Sequence, residues 1–78
     1  KVFPNPGNGI FEVGLEGDDI ENVNISVFNA SGKAVFIDQY VNIPGVNYNL
    51  YLQDLQPGVY FMKLDTETKT YRRNLMIH

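Results

Sequence analysis

One histidine, two serines and a short acidic run are the residues of this 78-residue chain that first invite a chemical reading. Covalent or acid–base catalysis needs a nucleophile within reach of a base. The serines are Ser26 and Ser31, and the sole histidine, His78, is the last residue, where chains fray into solvent. No HExxH, GxSxG, P-loop or dinucleotide motif occurs, so the chain reads as no enzyme. Glu16-Gly17-Asp18-Asp19-Ile20-Glu21 offers oxygen ligands but not the D-x-D-x-D-G order of a calcium loop. It reads as a solvated turn. Asn24-Ile25-Ser26 and Asn29-Ala30-Ser31 match the glycosylation triplet, a chance match in both places. Tyr40, Tyr48, Tyr51, Phe61 and Tyr71 would make a sugar platform if several faced outward from one sheet. In so small a core their default is packing.

The elements that must position these residues are bounded by size. Seventy-eight residues make one domain, spanning 1–78, near the lower limit for a self-sufficient core. There is no cysteine, hence no disulfide, and no Cys/His cluster for structural zinc. A core of this size rarely supplies more than about 3–5 kcal/mol, and the five Tyr and five Phe are its largest resource. The net charge is −3: residues 1–39 carry two bases against six acids, and residues 40–78 four bases against three acids. No Lys/Arg stripe suits nucleic acid or an anionic membrane surface. The apolar runs are too short to cross a bilayer as a helix, so no direct membrane insertion is expected. With neither initiator Met nor signal peptide, the chain reads as a fragment of a larger secreted precursor.

Strands and turn signals recur roughly every ten residues, the rhythm of a sandwich or barrel. Phe3-Pro4-Asn5-Pro6 reads as a stiff lead-in to a first edge strand, since two prolines remove two donors and favour extended backbone. Gly7-Asn8-Gly9 is a flexible turn. Ile10 to Glu16 alternates with Phe11, Val13 and Leu15 inward, and Val23, Ile25 and Val27 form the next apolar face. Asn29 to Gly32 is a hairpin turn with Gly32 left-handed. Lys33 to Tyr40 is a strand, Pro44-Gly45 a turn, and Val46 to Leu52 a strand with Tyr48, Leu50 and Leu52 inward. Pro57-Gly58 has the residues of a type II turn. The Tyr60 hydroxyl then reaches back to nearby backbone, as in the tyrosine corner of Greek-key sandwiches. Val59 to Leu64 reads as a central strand with Tyr60, Met62 and Leu64 inward. Lys69 to Ile77 is the last strand, with Tyr71, Leu75 and Ile77 on one face. The expected fold is all-β: a small Ig-like Greek-key β-sandwich of six to seven antiparallel strands.

Four blocks in order resemble a known family, the type A C-terminal sorting domain of the type IX (Por) secretion system of Bacteroidota. They are Phe3-Pro4-Asn5-Pro6 with Gly9 and Phe11; Ile25 to Lys33; Leu52 to Leu64, which includes Pro57-Gly58-Val59-Tyr60; and the tail Arg73 to Ile77. The resemblance covers essentially the whole chain. One departure is Asn74, which separates Arg73 from the apolar residues. The resemblance implies an address rather than an activity. It implies an N-terminal cargo domain and transit through the periplasm. It further implies passage through an outer-membrane translocon and cleavage by a sortase-like peptidase near or before Lys1. Attachment of the cargo at the cell surface completes the implied route. No cofactor or metal is implied. The last strand is the expected recognition element, offering its edge by β-augmentation with Arg72, Arg73, Asn74, Leu75, Met76 and Ile77 as the tail. Arg72 and Arg73 equally suit protection of an exposed edge. Pro4, Asn5, Pro6, Gly9, Gly32, Pro57, Gly58 and Tyr60 read as fold-defining. The reading from a different class is a carbohydrate-binding or adhesive Ig-like module, and a third is an inert spacer.

Overall fold

Alternation of apolar and polar residues decides this structure. In the strand Asn22–Phe28, Val23, Ile25 and Val27 have no accessible surface while Asn22 and Asn24 face water. The computed structural model describes residues 2–4, 7–17 and 20–78. Seven strands, and no helix, occur among them: β1 (Val2–Phe3), β2 (Ile10–Val13), β3 (Asn22–Phe28), β4 (Ala34–Val41), β5 (Tyr48–Tyr51), β6 (Gly58–Asp65) and β7 (Thr70–Ile77). They form two antiparallel sheets, ordered β1-β2-β5 and β4-β3-β6-β7. The inward faces share one apolar layer, from Phe11, Val13 and Leu50 on the smaller sheet to Ile25, Met62, Leu64 and Leu75 on the larger. This is the expected Ig-like sandwich.

Local chemistry sets the turns. Between β3 and β4 the Asn29 side chain accepts from the N–H groups of Ser31 and Lys33, and Gly32 sits at φ +88°. Between β6 and β7 the Thr66 hydroxyl accepts from the Lys69 N–H at 3.0 Å. In the same loop the Glu67 carboxylate accepts from the Asn22 N–H at 2.7 Å, tying the hairpin to the start of β3. The Tyr60 hydroxyl donates to Gln56 O at 2.6 Å, the expected corner. That bond also corrects the reading of Pro57-Gly58. A type II turn would spend Gln56 O on the Val59 N–H, but Gly58 and Val59 both already belong to β6, and Gln56 O accepts from the Tyr60 hydroxyl. Gly58 has φ +152°, far from the roughly +80° of that turn. The tight turn lies earlier, where Leu55 N–H donates to Leu52 O at 3.1 Å.

The lead-in also differs from expectation. Pro4 follows β1 rather than preceding the first strand, and the Phe3–Pro4 peptide is cis. Asn5, Pro6, Asp18 and Asp19 lie outside the described residues, so the Pro-Asn-Pro geometry and the middle of the acidic run do too. β2 stops at Val13 instead of running to Glu16. Gly14 follows, where a Cβ would stand 2.6 Å from Asn47 Oδ1.

At one side the sandwich is closed by rings. Tyr40 of β4 and Tyr48 of β5 stack with centroids 4.1 Å apart and planes 11° from parallel. The Tyr48 hydroxyl donates to Asp38 Oδ2 at 2.6 Å, whereas the buried Tyr40 hydroxyl has no partner among the described residues. An unpaired buried hydroxyl costs stability and a paired one contributes about 1 kcal/mol. Tyr40→Phe is therefore expected to be neutral or to stabilise by up to about 1 kcal/mol, and Tyr60→Phe to destabilise by about 1 kcal/mol. Urea unfolding of both variants checks the opposite signs.

The fold also predicts a pH profile. The Tyr48 hydroxyl holds Asp38 below the usual carboxylate range, the Thr70 hydroxyl does so for Asp65, and the Asn22 N–H for Glu67. A group with a depressed folded pKa contributes fully above its unfolded pKa of about 4, and that contribution is lost as pH falls through the folded value. Tyr48 runs the other way: burial, then Asp38, pushes it up to about 12. Its contribution is complete below an unfolded value of about 10 and is lost as pH climbs through the folded one. Thermal melts are expected to show a plateau from about pH 5 to 9 with losses on both sides.

Candidate functional site: the edge strand β7

β7 is the outermost strand of the larger sheet and carries the predicted tail. Its register against β6 sorts the six tail residues. Leu75 lies opposite Tyr60 and Ile77 opposite Gly58, and both side chains are buried. Arg72 lies opposite Lys63, Asn74 opposite Phe61 and Met76 opposite Val59, and these three are exposed. The tail is thus half anchor and half display. Arg73 shares the parity of Tyr71 and Leu75 but stays exposed, at the mouth of a cleft of about 650 Å³ that Leu64 and Tyr71 also line. Its Nη1 donates to Arg72 O at 2.8 Å.

Gly7 explains which way the strand's backbone points. Gly7 N–H donates to Met76 O and His78 N–H donates to Gly7 O, both at 3.0 Å, in a parallel bridge to Ile77. Met76 O and His78 N therefore point away from β6. The alternation of an antiparallel ladder turns the main-chain groups of Thr70, Arg72 and Asn74 the same way. The Arg73 guanidinium covers one of those outward carbonyls. The close approach requires glycine: a Cβ on Gly7 would stand 2.9 Å from Pro4 O and 3.1 Å from Phe11 Cε1. So the front of the chain clips its end. Sequence reasoning took residues 7–9 as a mere turn. No local signal sets Gly7 apart, because its partner, Ile77, lies at the far end of the chain.

Charge on this face is uneven. Lys63 and Arg72 are like charges in direct cross-strand opposition, which is unfavourable, and Asp65 relieves it through Lys63 at 3.5 Å. Phe28 and Phe61 pair beside them to make an aromatic step on the outer surface.

The remaining candidates take structural places. Pro4 is exposed in a bend. Gly9, at φ +101°, is buried against Gln53 backbone, and its carbonyl accepts from the Leu52 N–H. Gly32 and Tyr60 serve the turns described above. Pro57 is exposed just before β6. Ser31 hydrogen-bonds within its own turn, and His78 lies beside Gly7. No group of three or more His, Cys, Asp or Glu side chains placed to hold a metal occurs among the described residues. The aromatics do not form a platform. Tyr40 and Tyr48 stack at the sandwich edge, Tyr71 is half-buried, and Tyr51 and Phe61 face outward from different sheets. The carbohydrate-binding reading loses its basis there.

Among comparisons with known proteins, the family model described as "Secretion system C-terminal sorting domain" matches residues 1–78, the whole chain. No curated protein matches it.

Gly7→Ala tests the clip. Backbone on one side and Phe11 on the other leave the methyl no room, so a loss of about 1–3 kcal/mol is expected in urea unfolding. Hydrogen exchange at the His78 amide is expected to accelerate before the core amides do.

Proposed function

The chain belongs to the family of secretion system C-terminal sorting domains, and on that footing we propose that the export machinery reads the edge and outward row of β7. As a type IX sorting domain it serves in export to the cell surface or beyond, behind an N-terminal cargo. The observation that carries the proposal is the division of the tail. Leu75 and Ile77 lock β7 into the core, so Arg72, Asn74 and Met76 stand outward in fixed register on a strand at the sheet edge. Such a strand is read by β-augmentation: main-chain bonds supply affinity, and pockets for alternate side chains supply specificity. A receptor strand at this edge takes the place of the Arg73 guanidinium over Arg72 O.

In the same reading the cargo folds in the periplasm and the domain is presented to an outer-membrane translocon. A sortase-like peptidase then cuts the linker near or before Lys1, and the cargo is joined to the cell surface. The domain's part in that cut is as substrate. Its own serines and histidine lie in a strand, a turn and the chain end, apart from one another in sequence.

Deleting Leu75–His78 is expected to strand a fused reporter in the periplasm, but it also removes two buried anchors and the Gly7 clip. Arg72→Glu separates recognition from folding. It places an acid opposite Lys63, so the domain is expected to gain about 0.2–1 kcal/mol in stability. Surface delivery of the reporter is nonetheless expected to fall. Undiminished delivery with Arg72→Glu, Asn74→Ala and Met76→Ala combined would overturn the reading of β7.

A further inference from the structure

The opposite edge of the same sheet has its own chemistry. Asn42 N–H donates to Glu21 O at 2.7 Å, and the ladder's alternation turns the main-chain groups of Tyr40, Asp38 and Phe36 likewise towards β3. Those of Ile37, Gln39 and Val41 therefore point off the sheet. On the outer face Ile37 is 72% and Val41 68% exposed, on either side of Gln39. Edges are normally blunted by Lys, Arg or Pro, and Ala34–Val41 contains none of them. β7, by contrast, has Arg72, Arg73 and the Gly7 clip. The one charged residue of β4 is Asp38, on its inner face.

We propose that β4 is a self-pairing edge: it joins β4 of a second copy of this chain antiparallel about a two-fold axis at Gln39, and the Asp38 carboxylate keeps that pairing weak. The register is self-complementary. A two-fold axis at Gln39 sets Ile37 against Val41 of the second copy and Val41 against its Ile37, two β-branched pairs on one face. Gln39 meets Gln39 between them. Asp38 meets a tyrosine rather than an acid, but the two Asp38 carboxylates become diagonal neighbours, about 7–8 Å apart. Asp38 Oδ1 also accepts from the Gln39 N–H at 2.8 Å, covering the outward donor that lies on the axis. Repulsion and an occupied donor both oppose the pairing. Two strands of this length bury well under the ~1,200 Å² of a stable interface, so the complex is weak and concentration-dependent. The product is one eight-stranded sheet, β7-β6-β3-β4 continued by β4-β3-β6-β7. Both β7 edges lie outermost, so self-pairing leaves the proposed recognition strand open.

Sedimentation equilibrium of the 78-residue chain and three variants tests this. Asp38→Asn removes the charge; its single amide oxygen can stay on the Gln39 N–H while its amide nitrogen donates to the Tyr48 hydroxyl oxygen. It is expected to self-associate about tenfold more tightly than the unsubstituted chain. Adding Ile37→Lys is expected to abolish the gain. Adding Ile37→Lys with Val41→Glu is expected to restore it, because the introduced lysine and glutamate face each other only in the register about Gln39. Ile37, Asp38 and Val41 are all exposed, and thermal melts verify that each variant is folded. Equal association of the Asp38→Asn and unsubstituted chains would overturn the role of Asp38. Association that survives Ile37→Lys, or is not restored by the pair, would overturn the β4 register.

Discussion

A single apolar layer between two sheets is the constraint from which the rest of this domain follows. Among the described residues, thirteen buried apolar side chains make that layer, and no disulfide relieves them of the work. Burying one large aliphatic or aromatic side chain is worth about 1.5–3 kcal/mol, so each inward position counts in a domain whose whole margin is small. The alternation of β3 and β6 is accordingly strict. Where inward positions run out, at Asp38 and Arg73, the strand concerned lies at the margin of the larger sheet. A polar side chain on the inner face is tolerable only where it can turn to solvent. The layer therefore dictates where edges fall as well as what fills the middle.

Edges are the consequence that matters for function. An open four-stranded sheet has two of them, and this chain treats each differently. On β7 the protection is covalently distant but close in space: Gly7 bonds to both sides of Ile77, and Arg73 folds over Arg72 O. On β4 it is a carboxylate that joins Tyr48 of the smaller sheet to the Gln39 N–H. Both devices are side-chain or single-residue contacts laid over main-chain groups. Such contacts contribute only about 1 kcal/mol each, so a partner strand offering several main-chain bonds can displace them. A cover of that kind blocks casual aggregation and still yields to a specific partner.

Much of this was legible in the sequence because it depends on period-two patterning and on residues with few conformational options. Val23, Ile25 and Val27, the inward set of β6, the left-handed Gly32 and the Tyr60 corner all follow from neighbours within a few residues. What escaped depends on contacts between distant segments. The Gly7 bridge spans the chain from end to end, and nothing local distinguishes Gly7 from an ordinary turn glycine. The Tyr40–Tyr48 stack joins strands of different sheets. The Pro57-Gly58 turn was misread because local residue types favour a type II turn while Tyr60 takes the carbonyl that turn would use. In the tail, the family resemblance treats Arg72 to Ile77 as one unit, and only the register against β6 divides it into anchors and displayed residues.

That division bears on how one address can serve many cargos. A signal carried by individual side chains alone would be erased by single substitutions, and one carried by backbone alone would be shared with every exposed strand. β7 combines them. Its main-chain edge is generic, its outward row of Arg72, Asn74 and Met76 is particular, and its register is held by Leu75, Ile77 and Gly7 from three directions. Gly7, remote from the tail in sequence, belongs to the same device because it bonds on both sides of Ile77. On the proposed reading of β7, a receptor strand thereby also reads whether the domain has folded, since an unfolded tail has neither register nor edge.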